Sequence, residues 1–462
     1  MFAIACYDGK ILCVDGTSVI RKPISDISTI EELVVAVQAH GHWVLQDQYE
    51  NTLDLESMSF TRAVITDSLI VDRHHNGGIV TIRRDDRYLR ANNNDQIDML
   101  AVTHGLWETF RFFEVDLVRD VMQLMRNQWV RKSTGKIADI DFSGFENEFL
   151  MVDGCRVDIH ENFPFINYEK DLLKEKGSAP NSIIMHLDEW KPEEFLLYNP
   201  VVMYAFFGKG MISDQFRVSV ESLFEIGKFQ GTVLIVTNNS EEYVYGIINK
   251  KYRKDIKIFY MNAIDQQDYV DCRISIFNKK FIYEYQPFLY IDLDVVIDLP
   301  IKNFLTKLVI SDKCSAQVEE ERWVTQTQSC GATLYADDSF PIEDDAGFNG
   351  GVIGIPSFQK FGRYLRAADV MMRKYMHIHG RKSIPYDDQS ILNFIFRKFD
   401  IFSGDLITPR TSVPAAEKID FSKNDALGFA HFWPCIYRED RSLRMKNYLS
   451  ILRDDDKPDV LI

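Results

Sequence analysis

The sequence predicts two unlike folds in one chain, an all-β domain at the N-terminus and an α/β domain with a mostly parallel sheet in the second half. Three observations carry this. A degenerate repeat of short strands and turns fills residues 1 to 116, strands and helices alternate from Asn199 onward, and Pro287 to Asp298 reads as a buried strand bearing two acids.

In the N-terminal stretch, Asp8-Gly9-Lys10-Ile11-Leu12-Cys13-Val14-Asp15-Gly16, followed by His40-Gly41-His42-Trp43-Val44-Leu45, is echoed by Asp85-Asp86-Arg87-Tyr88-Leu89-Arg90-Ala91-Asn92-Asn93, followed by His104-Gly105-Leu106-Trp107-Glu108-Thr109-Phe110. The copies begin 77 residues apart, at Asp8 and Asp85. That leaves room for a third unit of about 38 residues, with Leu53 to Val71 as its body. Three stacked units predict a β-trefoil-like domain over residues 1–116. Its second copy, with a Tyr-Leu pair and a closing Trp-Glu-Thr-Phe, resembles the fascin-like trefoil domains, which implies binding of carbohydrate or actin. Trp43 and Trp107 stand at one point of each copy and read as core residues sealing the unit rather than as sugar platforms. His74-His75-Asn76-Gly77-Gly78 reads as a glycine-rich turn before a strand rather than as a metal site.

Residues 117–199 read as a connector of mixed structure, with helical spacing of Val, Leu and Met over Val115 to Trp129 and no evident chemistry. From residue 200 the α/β domain begins and runs to 462. Val201 to Phe207 is an apolar strand, and Phe216 to Ile226 a helix capped by Ser213 or Asp214. Thr232 to Thr237 and Ile256 to Met261 are further strands, and Tyr269 to Tyr283 is a helix.

Phe288 to Ile297 follows as a strand with Asp292-Leu293-Asp294 at its centre. Strand period two puts both acids on one face and Leu293 on the other. Two other Asp-x-Asp triplets, at Asp139 and Asp454, lie in polar surroundings and read as solvated acids. Here the apolar flanks make solvation an insufficient account, and two anions inside an apolar element call for a proton or a cation. A divalent ion shared with the phosphates of a nucleotide answers that need. Asp298, before Pro300 and Ile301 to Leu308, reads as a helix N-cap.

Composition bounds the partners. A formal charge of −16 argues against a chain that mainly coats nucleic acid or an anionic membrane. The seven scattered cysteines contain no Cys-x-x-Cys, so neither a disulfide framework nor a zinc site is expected. The sequence has no apolar run of the ~18 residues a membrane helix needs and no leader pattern, so a cytoplasmic protein is expected.

Three later stretches complete a constellation. Phe348-Asn349-Gly350-Gly351-Val352 is a glycine-softened turn entering a strand, Asp387-Asp388-Gln389-Ser390-Ile391-Leu392-Asn393 starts a helix, and Ala430-His431-Phe432-Trp433-Pro434 supplies a histidine. Each alone is an ordinary turn, cap or core residue. In this order after Asp-x-Asp, over residues 200 to 440, they resemble glycosyltransferase family 8, the glycogenin-like and lipopolysaccharide galactosyltransferase-like enzymes.

The resemblance implies a GT-A fold, Rossmann-like in its sheet, with a UDP-sugar donor, a glycan or other acceptor, Mn²⁺ or Mg²⁺, and transfer with retention at the anomeric carbon. It implies Asp292, Asp294 and His431 as metal ligands, and Arg273, Asn349, Gly350, Asp388 and Gln389 as sugar-binding residues, with Asp388 and Gln389 also catalytic. Phe206, Phe207, Gly208 and Leu293 fall where the nucleotide sits. The family's last motif continues from its His through a Gly to a Lys that grips the diphosphate. This chain has neither, which leaves Arg438, Arg441 or Arg381-Lys382 as alternatives. Two other readings compete. A nucleotidyltransferase shares the sheet and acids but needs a longer Gly-rich loop than Gly208-Lys209-Gly210, and a lectin-like protein with a decayed transferase half is at odds with the intact constellation.

Overall fold

In the computed structural model the described residues are 1–39, 42–62, 69–73, 79–92, 96–145, 149–158, 182–187, 191–336, 345–413, 421–433 and 438–454. The turn expected over His74 to Gly78 lies outside them. The chain divides into two units, residues 1–133 with 138–195, and residues 196–462 with 134–137. Most of the expected connector thus belongs to the first unit.

The first unit begins with twelve short strands: β1 (Phe2–Cys6), β2 (Ile11–Asp15), β3 (Ser18–Lys22), β4 (Val35–Ala39), β5 (His42–Gln46), β6 (Thr52–Asp54), β7 (Ser59–Thr61), β8 (Ile70–Arg73), β9 (Ile79–Arg84), β10 (Arg87–Ala91), β11 (Ile97–Ala101) and β12 (Thr109–Glu114). Their pairings close a ring. β1 pairs with β4, β4 with β5, β8 with β9, β9 with β12 and β12 with β1, all antiparallel. The ring is completed between β5 and β8 by the Trp43–Leu69 bridge. The remaining strands form the hairpins β2–β3, β6–β7 and β10–β11.

Four strands recur three times, and β9 starts 77 residues after β1, the spacing of the sequence repeat. Ile4, Leu12, Leu45, Leu53, Val80 and Leu89 point inward from the repeats to one core. Trp43 is half-buried against Phe2 and Phe112 at 6.0 and 5.4 Å, whereas Trp107 is 38% exposed. A shared place in the repeat therefore does not make both tryptophans core residues, because Trp107 lies in the turn Leu106–Glu108 rather than in a strand. After β12 the helix Val115–Arg126 buries Val118, Val121, Met122 and Leu124.

The second unit is built on a seven-stranded sheet. Its spatial order is Ile256–Tyr260, Thr232–Thr237, Val201–Phe206, Phe288–Ile291, Ala346–Ile355, Cys314–Trp323 and Phe402–Ser403. The first four strands run parallel, and Ala346–Ile355 lies antiparallel to its neighbours on both sides. The parallel strands read as continuous apolar runs because helices cover both faces of such a sheet. Val201, Val202, Met203, Tyr204 and Phe206 are buried accordingly.

Several element boundaries differ from expectation, for identifiable reasons. The first helix starts at Met211, because Gly210 at φ 78° ends the loop a turn earlier than Ser213 would. The next expected helix is Gln266–Ser275, capped by Asp265 through the Asp268 N–H at 3.0 Å, and it gives way to 3₁₀ turns up to Glu284. The strand Phe288–Ile291 ends before the acids. Asp292 to Asp294 form a turn, and Val295–Ile297 enters a separate three-stranded sheet with Phe429–His431 and Thr411–Ser412. Asn349-Gly350-Gly351 is no turn but lies inside Ala346–Ile355. There the pairing jumps from Ala316↔Ile353 to Gln317↔Asn349, a bulge that re-aims these residues.

The C-terminal helix Arg438–Arg453 packs Met445, Tyr448 and Leu449 with Phe432, Phe421 and Val296 into a small apolar cluster. Each such side chain contributes ~1.5–3 kcal/mol when fully buried. Beneath it lies Asp298, which caps no helix. It is buried and accepts the Gly428 N–H at 2.6 Å and the Tyr448 hydroxyl at 3.0 Å, while the following helix starts only at Lys302. Six cysteines are free thiols among the described residues, and none of the described helices is long and apolar enough to cross a membrane.

Burial pushes the Asp298 carboxyl up to about 6, against the lowering effect of its hydrogen bonds. The folded state therefore holds this proton more tightly than the unfolded state, so its contribution to stability is full below the unfolded value and is lost as pH rises through about 6. Asp298→Asn keeps an acceptor for Gly428 and does not titrate. Urea denaturation at pH 4 and pH 7 should show that wild type loses more stability over this range than the variant, by about 2 kcal/mol. Equal losses would show that Asp298 does not carry the effect.

Candidate active site

The site is assembled where the strand Phe288–Ile291 stops. The chain turns, with the Val295 N–H reaching the Asp292 carbonyl at 3.3 Å, and resumes as Val295–Ile297. That strand pairs antiparallel with Phe429–His431, Val295 opposite His431, and the Phe432 N–H donates to the Asp294 carbonyl at 3.0 Å. Asp292, Asp294 and His431 each offer a ligand atom within 4.8 Å of the others. The acids converge because of a turn and a cross-strand neighbour, and not by the strand parity read from the sequence.

His431 Nε2 stands 3.3 Å from Asp294 Oδ1. The ring is buried, yet neither of its nitrogens has a hydrogen-bond partner among the described residues. A buried imidazole with no hydrogen bond at Nδ1 among the described residues and only a 3.3 Å ion-pair contact at Nε2, beside two carboxylates, fits the donor set of a divalent cation. Gly351 makes room for it, since a Cβ there would lie 2.2 Å from His431 Cε1 and 2.7 Å from Nε2.

The second oxygen of Asp294 accepts from Arg441 of the C-terminal helix at 2.6 Å, and Arg441 also donates to the Trp433 carbonyl at 3.1 Å. Burial works to raise the Asp294 carboxyl, but the His431 imidazole and the Arg441 guanidinium outweigh it and hold the group below its ordinary value.

Asp292 is held from the other side. Its Oδ1 accepts from Arg273 at 2.9 Å and from the Tyr290 hydroxyl. Arg273, near the end of the helix Gln266–Ser275, also donates to the Tyr290 oxygen at 2.8 Å and to Asp388 Oδ1 at 2.6 Å. Burial alone would lower the Arg273 guanidinium, but Asp388, Tyr290 and Asp292 together raise it far above its usual range, so it stays charged. Burial pushes the Tyr290 hydroxyl well up, so it keeps its proton and donates to Asp292.

Asp388 and Gln389 lie in the first turn of the helix Asp387–Lys398. It starts from Tyr386, an exposed residue in the left-handed region at φ 57°. Gln389 Oε1 accepts the Gly350 N–H at 3.1 Å, joining this helix to the bulged strand. Asn349 accepts the Gly351 N–H at 2.8 Å and donates to Glu319 at 3.3 Å. Of the residues assigned to the nucleotide, Phe206 is buried and stacked on Phe216 at 4.3 Å, and Phe207 is stacked on Tyr269 at 5.0 Å. Gly208, at φ 82°, accepts from Asn239 at 3.0 Å, and Leu293 is half-buried in the Asp-x-Asp turn.

Sequence reasoning missed two residues. Tyr290 was one apolar letter of a strand, although its place two before Asp292 puts it on the same face. Glu319 sat in Glu319-Glu320-Glu321, which looks like a solvated run, and only the pairing of Cys314–Trp323 with Ala346–Ile355 brings it to Asn349.

No protein-family model matches the chain, and no curated protein matches it. Solved structures do. The galactosyltransferase LgtC, in complex with donor and acceptor sugar analogs, matches with 12% identity and a TM-score of 0.40, over 56% of this chain and 98% of that one. Mouse xyloside xylosyltransferase 1 in its apo form matches with 14% identity and a TM-score of 0.35, over 52% of this chain and 98% of that one. An active-site mutant of LgtC matches with 14% identity and a TM-score of 0.38, over 54% of this chain and 95% of that one.

The contacts of adjacent glycines give a direct check of the His431 geometry. Gly351→Ala collides with the imidazole, whereas a Cβ at Gly350 meets Gln389 at 3.5 Å, an ordinary contact. Urea denaturation in EDTA should show Gly351→Ala destabilised by about 1–3 kcal/mol relative to Gly350→Ala. Equal stabilities would mean that His431 is not held against Gly351.

Proposed function

We propose that this chain is a metal-dependent glycosyltransferase that moves a sugar from a UDP-sugar to a glycan or other acceptor, with retention of anomeric configuration. One observation carries the reading. Motifs that are separately unremarkable, at Arg273, Asp292 to Asp294, Asn349 to Gly351, Asp388-Gln389 and His431, are linked through contacts into one cluster.

Asp292, Asp294 and His431 would hold a divalent ion, Mn²⁺ or Mg²⁺, and Asp292 and Asp294 have their carboxylates already aimed by Tyr290, Arg273 and Arg441. When bound, the ion supplies positive charge for a diphosphate and for the leaving nucleotide. Arg273 fixes Asp388 at 2.6 Å, which orients its carboxylate for sugar hydroxyls. Asn349 and the Gly350 backbone line the approach from the bulged strand, close to Gln389.

An inverting transferase needs a base opposite the leaving group. Gln389 carries an amide there and cannot take a proton at neutral pH, and Asp388 is neutralised by Arg273. Retention follows, with the acceptor approaching from the leaving-group side. Glu319 favours a second reading in which it acts as base. Its carboxylate lies 3.3 Å from Asn349, although it is also shared with Arg322 at 3.4 Å.

We also read residues 1–116, within the N-terminal unit, as a β-trefoil. The closed six-strand ring with three hairpins supports this, and the exposed Trp107 is suited to stacking on a sugar ring. On this reading the domain binds a glycan acceptor and, being tethered in the same chain as the transferase, raises the acceptor's local concentration.

Two measurements test the reading. Asp292→Asn removes one ligand charge, and release of UDP from UDP-sugars with Mn²⁺ should fall about a hundredfold or more while circular dichroism is unchanged. A folded, fully active variant would remove Asp292 from the mechanism. Proton NMR of the product's anomeric signal should show an α linkage from an α-linked donor. A β linkage would overturn retention and turn attention to Glu319 as base.

A further inference from the structure

We infer that Arg441 is the cation that holds the donor's diphosphate, and that before the donor arrives it rests on Asp294, so that metal and diphosphate load together. This deepens the glycosyltransferase reading and rests on it.

No lysine lies between His431 and Arg441, and Lys446 is paired with Asp214 at 3.3 Å, so the cation for the diphosphate is sought among the arginines. The side chain of Arg438 lies outside the described residues. Arg381 is half-exposed and donates to Asp265 and Asp268 on another helix. Arg273 is the centre of a closed network on Tyr290, Asp292 and Asp388, and releasing it would undo the aim of both carboxylates. Arg441 is held differently. Its guanidinium rests on Asp294 Oδ2 and on one backbone carbonyl, and its Nε has no partner among the described residues. It is thus both at the metal-ligating carboxylate and the least committed of the two guanidiniums that reach it and Asp292.

Charge makes the coupling. Asp292, Asp294 and Asp388 stand against Arg273 and Arg441, which leaves the cluster short of neutrality by a single charge. A dication arriving alone must share Asp294 with a guanidinium already on its other oxygen, inside a buried site where like charges repel strongly. A diphosphate relieves this, because its oxygens accept the guanidinium as it leaves Asp294 and bridge it to the ion. Arg441 therefore weakens metal binding by the free protein and strengthens it once a nucleotide diphosphate is present.

The test uses the full chain, Mn²⁺ titrations followed by the electron paramagnetic resonance of the free ion, with and without UDP, for wild type, Arg441→Gln and Arg441→Lys. Wild type should bind Mn²⁺ about tenfold or more tightly with UDP than without, a factor in the usual range for coupled sites. Arg441→Gln should bind Mn²⁺ alone more tightly than wild type, should lose most of the UDP enhancement, and should bind UDP with saturating Mn²⁺ about tenfold more weakly. Arg441→Lys keeps the charge and should stay close to wild type, which separates loss of charge from a disturbed fold. If Arg441→Gln bound Mn²⁺ alone no better than wild type, or kept the full enhancement by UDP, the inference would be overturned. If wild type bound no Mn²⁺ even with UDP, the metal-site reading itself would fall and take this inference with it.

Discussion

The site of the second unit depends on one short ladder, the antiparallel pairing of Val295–Ile297 with Phe429–His431. The sheet strand Phe288–Ile291 can place Asp292 and the turn can place Asp294, but neither brings a histidine. The ladder does so by register, since Val295 opposite His431 sets the imidazole against Asp294. The ladder is secured away from the site by Phe432 and Tyr448 in an apolar cluster and by Asp298, which ties Gly428 to the C-terminal helix. An apolar clamp thus fixes the position of a polar cluster that would not hold itself together.

That cluster would be costly without compensation. Three carboxylates lie together in a largely buried region, and each meets a cation, Asp388 and Asp292 at Arg273, Asp294 at Arg441. Orientation follows from the same contacts. Arg273 and Tyr290 take one oxygen of Asp292, and Arg441 takes one oxygen of Asp294. The arrangement answers the problem of buried charge and the problem of aim with the same side chains.

How much of this could be read from the sequence follows from which physical signals are local. The parallel strands were legible because burial on both faces leaves continuous apolar runs, as in Val201–Phe206, and a repeat was legible because two copies of one turn-and-strand pattern begin 77 residues apart, at Asp8 and Asp85. Asp292 and Asp294 stood out because acids between apolar runs are out of place, whereas His431 was named only through the order of motifs that resembles the transferase family. The geometry joining them was not legible, since the break at Asp292 and the bulge over Gly350 to Val352 are set by pairing with distant strands. Asp298 looked like a cap because the local letters after it suit a helix start, while its real partners, Gly428 and Tyr448, are more than a hundred residues away. Tyr290 and Glu319 were hidden for the same reason.

The ladder also has a consequence for when the site can exist. Synthesis runs from the N-terminus, and the ring of strands in the first unit is complete once Glu114 has been added. The sheet of the second unit can follow with Asp292 and Asp294 in place. His431 and Arg441 follow the other residues of the cluster in the chain, on a strand and a helix whose partners, Val295–Ile297 and Asp294, are made well before them. His431 comes 137 positions after Asp294, and over that stretch a nascent chain carries a shaped but incomplete cluster. The cluster is completed only when Phe429–His431 pairs with Val295–Ile297 and Arg441 reaches Asp294.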